Sequence, residues 1–407
     1  MGTPSNTAKE LLRATALDNA ASKSKLEDDL EQDGFARTSS NRSENLYGTS
    51  NEITFIDQDT KAETQADNGQ IQVSIQALPS GSEVGWHLYN INADDVWNDY
   101  TGRGVIVAVV DNGWHSYNHP DLNDNIRFDL TDNTAVNGLD HGQNTMGLIG
   151  AEANGSQTVG VAYNADLTGE LWTTQGILDA TGYADVINNS WTFKNPLTPI
   201  SQSAIDGAVT TGRGGLGSVV VFSAGNYRTE DIGGNIMPMQ SSPHAIVVGA
   251  MDMDGTETYF SSGGSSLLIT APGVGLFTTH GATGTMANFA GTSGSAPIVS
   301  GVAALILEAN MDLGFRDVQE IMSLSAQYND SGGASWAYNG DTHWNGGGRH
   351  FSHDHGYGNV DARAAVRLAE TWDEQSTMAN MQTVTKSVTV NAGIPDAGSA
   401  ITSSTLS

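Results

Sequence analysis

Polar residues at the ends of apolar segments carry the side chains that acyl transfer requires. Asp111 follows the apolar run VIVAVV, His141 opens the segment HGQNTMGLIG, and Ser293 follows a Gly-Thr pair at the start of a long apolar stretch. A serine hydroxyl is a weak nucleophile, so it needs an imidazole to take its proton and a carboxylate to hold that imidazole in one tautomer. The sequence therefore predicts a serine nucleophile, a histidine base and an orienting aspartate.

A further motif supplies a donor for the oxyanion that forms during attack on a carbonyl. VVVFSAGN ends an apolar run on Asn226, whose side-chain amide can donate a hydrogen bond. The helix predicted to start at Ser293 adds backbone donors and a positive dipole end. Each motif alone has an ordinary structural explanation as a strand end or a turn. Their combination in one chain predicts the mechanism.

The elements that would position these residues follow an alternating pattern between residues 85 and 372. Short apolar runs predict strands, and they lie at 105–110, 186–189, 218–223, 245–250 and 267–270. Helical patterns follow His141 and Ser293 and cover 201–211, 316–325 and 361–369. Strands that are apolar throughout are buried on both faces. The pattern therefore predicts an α/β fold with a doubly wound, mostly parallel sheet and functional residues at the strand ends.

Composition excludes several classes of protein. Among 407 residues, Asp and Glu number 46 and Lys and Arg 17, so a basic footprint for nucleic acid is absent. The acidic excess suits divalent cations or saline water, or it serves solubility alone. No apolar run approaches the length of a membrane span, and without cysteine there is no disulfide, thiolate metal site or cysteine nucleophile. The first residues do not have the pattern of a secretory signal peptide, so export would use another signal or the chain is a fragment.

With these motifs, the chain resembles the subtilisin family (S8) of serine proteases, and within it the kexin and furin group. The order Asp, His, Ser is that of subtilisin. The similarity extends to the Trp-His-Leu stretch at Trp86, to GRGGLGS at 212–218, to LEANMDLGFRDVQ at 307–319 and to GGGRHFSHDHGYGNVDA at 346–362. The resemblance implies a bacterial, secreted or cell-surface serine endopeptidase, expected to be a monomer, that acts on protein or peptide substrates.

The resemblance also assigns roles outside the catalytic motifs. It implies that Ser190 and Trp191 bind the substrate backbone. It implies a structural Ca²⁺ site, to which Asp121 and Asn154 contribute side chains and Ala151, Ser156 and Thr158 contribute carbonyl oxygens. Composition alone would make the loop at 150–160 a plain turn.

The sequence departs from that group where the group carries acidic side chains for basic substrates. Asn112 follows the catalytic aspartate, Gly138 precedes the histidine motif, and Asn195 lies in a loop that is usually acidic. Further expected acids fall near Ile232, Met237 and Ser262, with Glu230 and Asp231 close enough to replace one of them. We therefore expect an enzyme without a strict dibasic preference and without the calcium ion beneath the first pocket.

The polar composition of the first residues, together with the resemblance, divides the chain into three parts. Residues 1–75 are a polar leader or linker, expected to be largely disordered, with a weak signal for a helix near 9–30. Residues 76–375 form the subtilisin-like peptidase domain. Residues 376–407 contain a linker, a predicted strand at 386–391 and the truncated start of a β-sandwich P domain.

Other functions are weighed against this one. A serine esterase would usually show Gly-x-Ser-x-Gly and the order Ser, Asp, His, which this chain lacks, and a non-catalytic adhesin domain would not need an intact triad. His353 and His355 could suggest a metal site, but a structural loop is the favoured interpretation, and His115 and His119 are expected at the surface. GRGGLGS is not a phosphate loop, since no Lys-Ser or Lys-Thr pair follows.

Overall fold

The computed structural model describes the backbone of four strands before residue 75, and residues 84–132, 138–193, 202–230, 232–329, 336–338 and 348–381. The predicted helix near 9–30, the strand at 386–391 and the start of a P domain lie outside these residues. Within the predicted leader, β1 (Ala36–Ser40) pairs antiparallel with β2 (Ser43–Tyr47), and β3 (Glu63–Asp67) pairs antiparallel with β4 (Gln70–Ser74). The domain boundaries stay a prediction.

A six-stranded parallel sheet forms the centre of the molecule. Its strands are β5 (Ile106–Asp111), β6 (Asp166–Leu171), β7 (Val186–Asn189), β8 (Val219–Ser223), β9 (Ala245–Met251) and β10 (Ile269–Pro272). Their order across the sheet is β10-β9-β8-β7-β5-β6, and every neighbouring pair is parallel. Each strand predicted from an apolar run exists, with bounds shifted by at most two residues.

The helices flank this sheet. They are α1 (Trp86–Asn90), α2 (His141–Gly150), α3 (Thr174–Thr181), α4 (Ser203–Thr211), α5 (Thr292–Ala309), α6 (Phe315–Ser325) and α7 (Ala362–Ala369). Two further strand pairs complete the described elements: β11 (Leu276–His280) with β12 (Gly284–Phe289), and β13 (Ala337–Tyr338) with β14 (His350–Phe351).

Successive strand residues point to opposite faces, and both faces are buried. Val107 and Val109 pack with α2, α5 and α7 in one apolar cluster, whereas Ala108 and Val110 pack with α3 and α4 in another. The same alternation holds along β8, where Val221 belongs to the first cluster and Phe222 to the second. Helices therefore cover both faces, and the predicted doubly wound α/β architecture is confirmed.

Helix α5 is the one described helix that is long and apolar enough to cross a bilayer. It lies against the sheet, with 83% of its most apolar window buried. The apolar composition of α5 is therefore explained by its burial in the core of the protein.

The strand order changes direction beside β5. After β6 forms on one side of β5, the chain crosses to place β7 on the other side. In such sheets, loops diverge at the carboxyl ends of the strands at this point and leave a crevice. Asp111 ends β5 and Ser190 follows β7, so both residues lie at that crevice.

Candidate active site

The crevice brings together the residues predicted to carry the chemistry. Asp111, His141, Ser190, Trp191, Asn226 and Ser293 line one cleft, together with Asn112, Trp172, Thr192, Ser223, Gly225, Tyr227 and Thr292. We call this set the cleft. Its residues come from positions distant in the sequence, and the shared edge of the parallel sheet explains why they meet.

Asp111 and His141 form a tight pair. His141 Nδ1 lies 2.9 Å from Asp111 Oδ1 and 3.0 Å from Oδ2. The amide of Asn112 donates to Asp111 Oδ1 at 2.7 Å, and Asp111 is almost fully buried. Because the carboxylate accepts from Nδ1–H, the tautomer that leaves Nε2 free as a base is favoured.

The pKa of His141 reflects opposing effects. Burial lowers it, whereas the charge of Asp111 and the hydrogen bond to Asp111 raise it, and the net result lies above the ordinary value of 6.5. The aspartate therefore stabilises the imidazolium that forms when His141 takes a proton.

Ser293 stands in the first turn of α5, where the amides have no intrahelical acceptor. Its Oγ donates to the carbonyl of Ser190 at 3.0 Å. Among the hydrogen bonds of the described residues, none joins Ser293 to His141. Catalytic hydrogen bonds are often loose before substrate binds, and here the hydroxyl would have to turn from Ser190 toward His141.

Asn226 is held by the residue next to Ser293. The amide and the hydroxyl of Thr292 each donate to Asn226 Oδ1 at 3.0 Å, and Thr292 Oγ1 accepts from the Gly225 amide at 3.1 Å. With its oxygen fixed, the Asn226 NH₂ group faces Gly291, where an added Cβ would lie 3.2 Å from Nδ2. Gly291 also has a φ of 122°, which a side chain would strain.

The described residues of the cleft offer little negative charge for a basic substrate side chain. Among them, Asp111 is the only carboxylate, and it is committed to His141. Four of the described positions where the resemblance predicts an acidic side chain hold other residues. Asn112 is half-buried and Gly138 is exposed, whereas Met237 is fully buried and Ser262 accepts a hydrogen bond from the Tyr227 amide. Asn195 and Asp231 lie outside the described residues.

The residues predicted to hold calcium also converge. Asp121 Oδ2 accepts from the Thr158 amide at 3.0 Å, and Asn154 donates to the Pro120 carbonyl and accepts from the Ser156 amide. Glu152, which the sequence did not single out, donates its amide to the Asp121 carbonyl at 2.8 Å and places its carboxylate 3.3 Å from Asn154 Nδ2. We call Asp121, Ala151, Glu152, Asn154, Ser156 and Thr158 the Asp121 site.

The Asp121 site has the donor chemistry that calcium prefers. Burial raises the pKa values of Asp121 and Glu152, and Asp121 Oδ1 is buried without a hydrogen-bond partner. Hard oxygen ligands from carboxylates, an amide and carbonyls fit Ca²⁺. In the part of the chain that the structure describes, no cluster of three His, Asp or Glu side chains could hold a metal. A cation here would therefore depend on carbonyl oxygens as well.

Two histidine predictions had different outcomes. His119 is buried, not at the surface, because its Nδ1 accepts from the Asp121 amide and its Nε2 contacts the Gly284 carbonyl at 2.8 Å. His353 is exposed and His355 is buried against Trp336, within a turn closed by Ser352 and Gly356.

Sequence reasoning missed cleft residues next to elements that it did not predict. Trp172 follows β6, an edge strand whose residues DLTGEL lack a continuous apolar run. Its ring meets Trp191 edge-on at 6.4 Å between centroids and lies 5.7 Å from Phe193. Thr192 and Thr292 adjoin predicted site residues, and that adjacency was the only sequence signal for them.

A family model and curated proteins match this chain. The model of the family described as "Subtilase family" matches residues 102–358. Furin-1 of Xenopus laevis is 30% identical over 328 residues, covering 70% of this chain and 41% of that protein. Kexin of Saccharomyces cerevisiae is 31% identical over 326 residues, covering 71% and 39%.

Solved structures share the fold. A serine protease of Aeromonas sobria superposes with a TM-score of 0.58 at 23% identity, over 70% of this chain and 62% of that one. A protease of Pseudoalteromonas arctica gives 0.57 at 24% identity, over 72% of this chain and 100% of that one. The chain spans 41% of the length of the furin-1 that it matches.

Proposed function

Because the chain belongs to the subtilase family, we propose that it is a serine endopeptidase that hydrolyses protein or peptide substrates through an acyl-enzyme on Ser293. The observation that carries the proposal is the His141–Asp111 pair at 2.9 Å in the same cleft as Ser293 and Asn226.

The proposed reaction runs in two halves. Ser293 Oγ attacks the scissile carbonyl carbon while its proton passes to His141 Nε2. His141 then protonates the leaving amine, and the C–N bond breaks to leave an ester on Ser293. A water molecule gives a proton to His141 and attacks that ester; the C–Oγ bond then breaks, His141 returns the proton to Ser293 Oγ, and the acid is released. Asp111 stabilises the imidazolium in both halves, and Asn226 with the Ser293 amide holds the oxyanion.

The hydrogen bond between Ser293 and Ser190 suggests how substrate binding would start the reaction. Ser190 uses its carbonyl to accept the Ser293 hydroxyl at 3.0 Å. A substrate backbone N–H that bonds to Ser190 would compete for this carbonyl and free the hydroxyl to turn toward His141. Ser190 and Trp191 are accordingly proposed to bind the substrate backbone.

The cleft supports a substrate class without obligatory paired basic residues. A lysine or arginine side chain in a pocket without a carboxylate would leave a desolvated charge unpaired. We expect a peptide-library digest to show no strict requirement for Lys or Arg before the cut.

A structural calcium ion at the Asp121 site is also proposed. Asp121 and Asn154 would contribute side-chain oxygens, and Ala151, Ser156 and Thr158 would contribute carbonyls. The ion would neutralise buried carboxylates and tie the loop after α2 to residues 120–121. A secreted or cell-surface location, a monomeric state and a truncated P domain remain predictions from the resemblance.

Labelling with a fluorophosphonate tests the proposed function. We expect mass spectrometry to find the adduct on Ser293, and neither Ser293→Ala nor His141→Ala to be labelled. A labelled protein that hydrolyses activated esters but cleaves no peptide bond would favour the esterase alternative. A folded wild-type protein that is not labelled would favour a non-catalytic domain.

A further inference from the structure

Part of the cleft is a slot between two neighbouring strand ends. Residues 190–192 follow β7, and residues 224–226 follow β8, with Asn189 paired to Phe222. A carbonyl under attack would lie between Ser293 Oγ and the Asn226 amide. The side chain of the residue that bears this carbonyl, here called the acyl-side residue, then points between the two segments.

Thr192 and Met237 narrow this slot. A Cβ added to Gly225 would lie 3.1 Å from Thr192 Cγ2, 3.1 Å from Met237 Cε and 3.3 Å from Met237 Sδ. The two side chains therefore lie close to Gly225 on the opposite wall and reduce the space for a substrate side chain at this point.

These two side chains are fixed in place. Thr192 Oγ1 contacts Met237 Sδ at 2.8 Å, which orients the Thr192 methyl toward Gly225. Met237 is fully buried and its amide donates to the Gly234 carbonyl at 3.0 Å. A packed interior resists the insertion of extra methylene groups, because neighbouring side chains and backbone must shift. A large acyl-side residue would have to displace one of these side chains.

We propose that Thr192 and Met237 restrict the acyl-side residue to glycine, alanine or serine. The inference rests on the proposed peptidase function and names its substrate class. Side chains that line such a pocket set the specificity of serine proteases, and here Thr192 and Met237 reduce its volume. Substrates with leucine, phenylalanine or arginine at this position are disfavoured by volume, and among the described residues of the cleft Asp111 is the only carboxylate that arginine would meet.

Matched peptides that differ only in the acyl-side residue test the proposal. For the wild type we expect kcat/KM for alanine to exceed that for phenylalanine by at least about tenfold. Thr192→Gly should lower that ratio several-fold by widening the slot on the Thr192 side, while Met237 stays in place. Thr192→Val keeps two methyl-sized branches at Cβ and should preserve the ratio. Equal cleavage of both peptides by the wild type, or a ratio that Thr192→Gly leaves unchanged, would overturn the proposal.

A binding measurement separates this inference from the proposed function. On the Ser293→Ala background, calorimetry with product-like peptide acids ending in alanine or phenylalanine reports the slot without any catalysis. We expect the alanine peptide to bind at least about tenfold more tightly, and Thr192→Gly to reduce the difference. Equal binding of the two peptides would contradict the inference even if the wild type proves to be a peptidase. The expected difference would support it even if the chain cleaves nothing.

Discussion

The cleft and the Asp121 site differ in the side-chain partners of their buried carboxylates. In the cleft, the buried carboxylate of Asp111 has His141 as its partner, and Asn226 lies exposed with its oxygen already bonded. In the Asp121 site, the carboxylates of Asp121 and Glu152 are buried, and neither forms an ion pair with a Lys or Arg among the described residues. The carboxylate of the cleft is therefore paired within the protein, whereas we propose that a cation pairs with the carboxylates of the Asp121 site. Activity and stability should therefore respond to different perturbations.

The largest expected effect is on the Asp111–His141 pair. Asp111→Asn keeps the shape but removes the charge and disturbs the tautomer, so kcat should fall by about 10⁴-fold. Steady-state kinetics measures it, with circular dichroism to confirm folding. Asp140→Asn is the matched control, because Asp140 adjoins His141 but pairs with His115 at 3.1 Å. A loss in Asp140→Asn as large as in Asp111→Asn would show that general charge near the cleft, and not the pair, sets the rate.

A smaller loss is expected at the oxyanion donor. Asn226→Leu removes the free NH₂ group and should lower kcat by about 10²- to 10³-fold, or about 2.7 to 4 kcal/mol of transition-state stabilisation, with little change in KM. Thr292→Val removes the hydroxyl that orients Asn226 and should cost less, while Thr292→Ser retains that hydroxyl and should stay close to wild type. If Asn226→Leu raised only KM, Asn226 would be a binding residue and not an oxyanion donor.

The Asp121 site should respond to calcium removal. At free calcium of about 100 times its Kd, binding contributes about 2.7 kcal/mol, so for a domain of about 300 residues a chelator should lower Tm by roughly 4 °C. Calorimetry in calcium and in chelator measures this shift. Asp121→Asn should melt near the chelated wild type and respond little to calcium, and an unchanged wild-type Tm in chelator would exclude the site.

The pH dependence of folding stability gives a second test of the Asp121 site. Burial raises the pKa values of Asp121 and Glu152 above 3.8 and 4.5, so the folded, calcium-free protein binds protons more tightly than the unfolded chain. The stability that these groups contribute without calcium is therefore lost as pH rises through the raised values. The effect of the chelator should be greatest at neutral pH and shrink on acidification.

The smallest expected effect is the pH profile of the cleft. His141 must be neutral to act as a base, and its pKa lies above 6.5. We expect kcat/KM to fall about tenfold per pH unit on the acid side, with an apparent pKa above 6.5. In Asp111→Asn the raising effects are lost while burial still lowers the pKa, so the acid limb of the residual activity should move to lower pH. An unmoved limb would assign the titration to another group.

Much of the fold was predictable because parallel strands that are buried on both faces appear in the sequence as short, nearly continuous apolar runs. The runs that became β5, β8 and β9 are mostly apolar stretches, β7 keeps only Val186 and Ile187 of that pattern, and each strand was predicted within two residues of its bounds. β6 was missed because an edge strand with the sequence DLTGEL lacks that trace. The burial of His119 was missed because it depends on packing between separate segments: besides the Asp121 amide, its partner is the carbonyl of Gly284 at the start of β12.

The sequence by itself determined which side chains could perform acyl transfer and that they stand at the ends of strands and helices, because residue type and apolar periodicity are local properties. Only the tertiary structure decided that Ser293 rests on the Ser190 carbonyl, that Glu152 joins the Asp121 site, and that Thr192 meets Met237 across from Gly225. Each of these contacts depends on how separate elements pack, to within a few tenths of an ångström. The free volume beside Gly225 and the pairing of the buried carboxylates in the Asp121 site both depend on that packing.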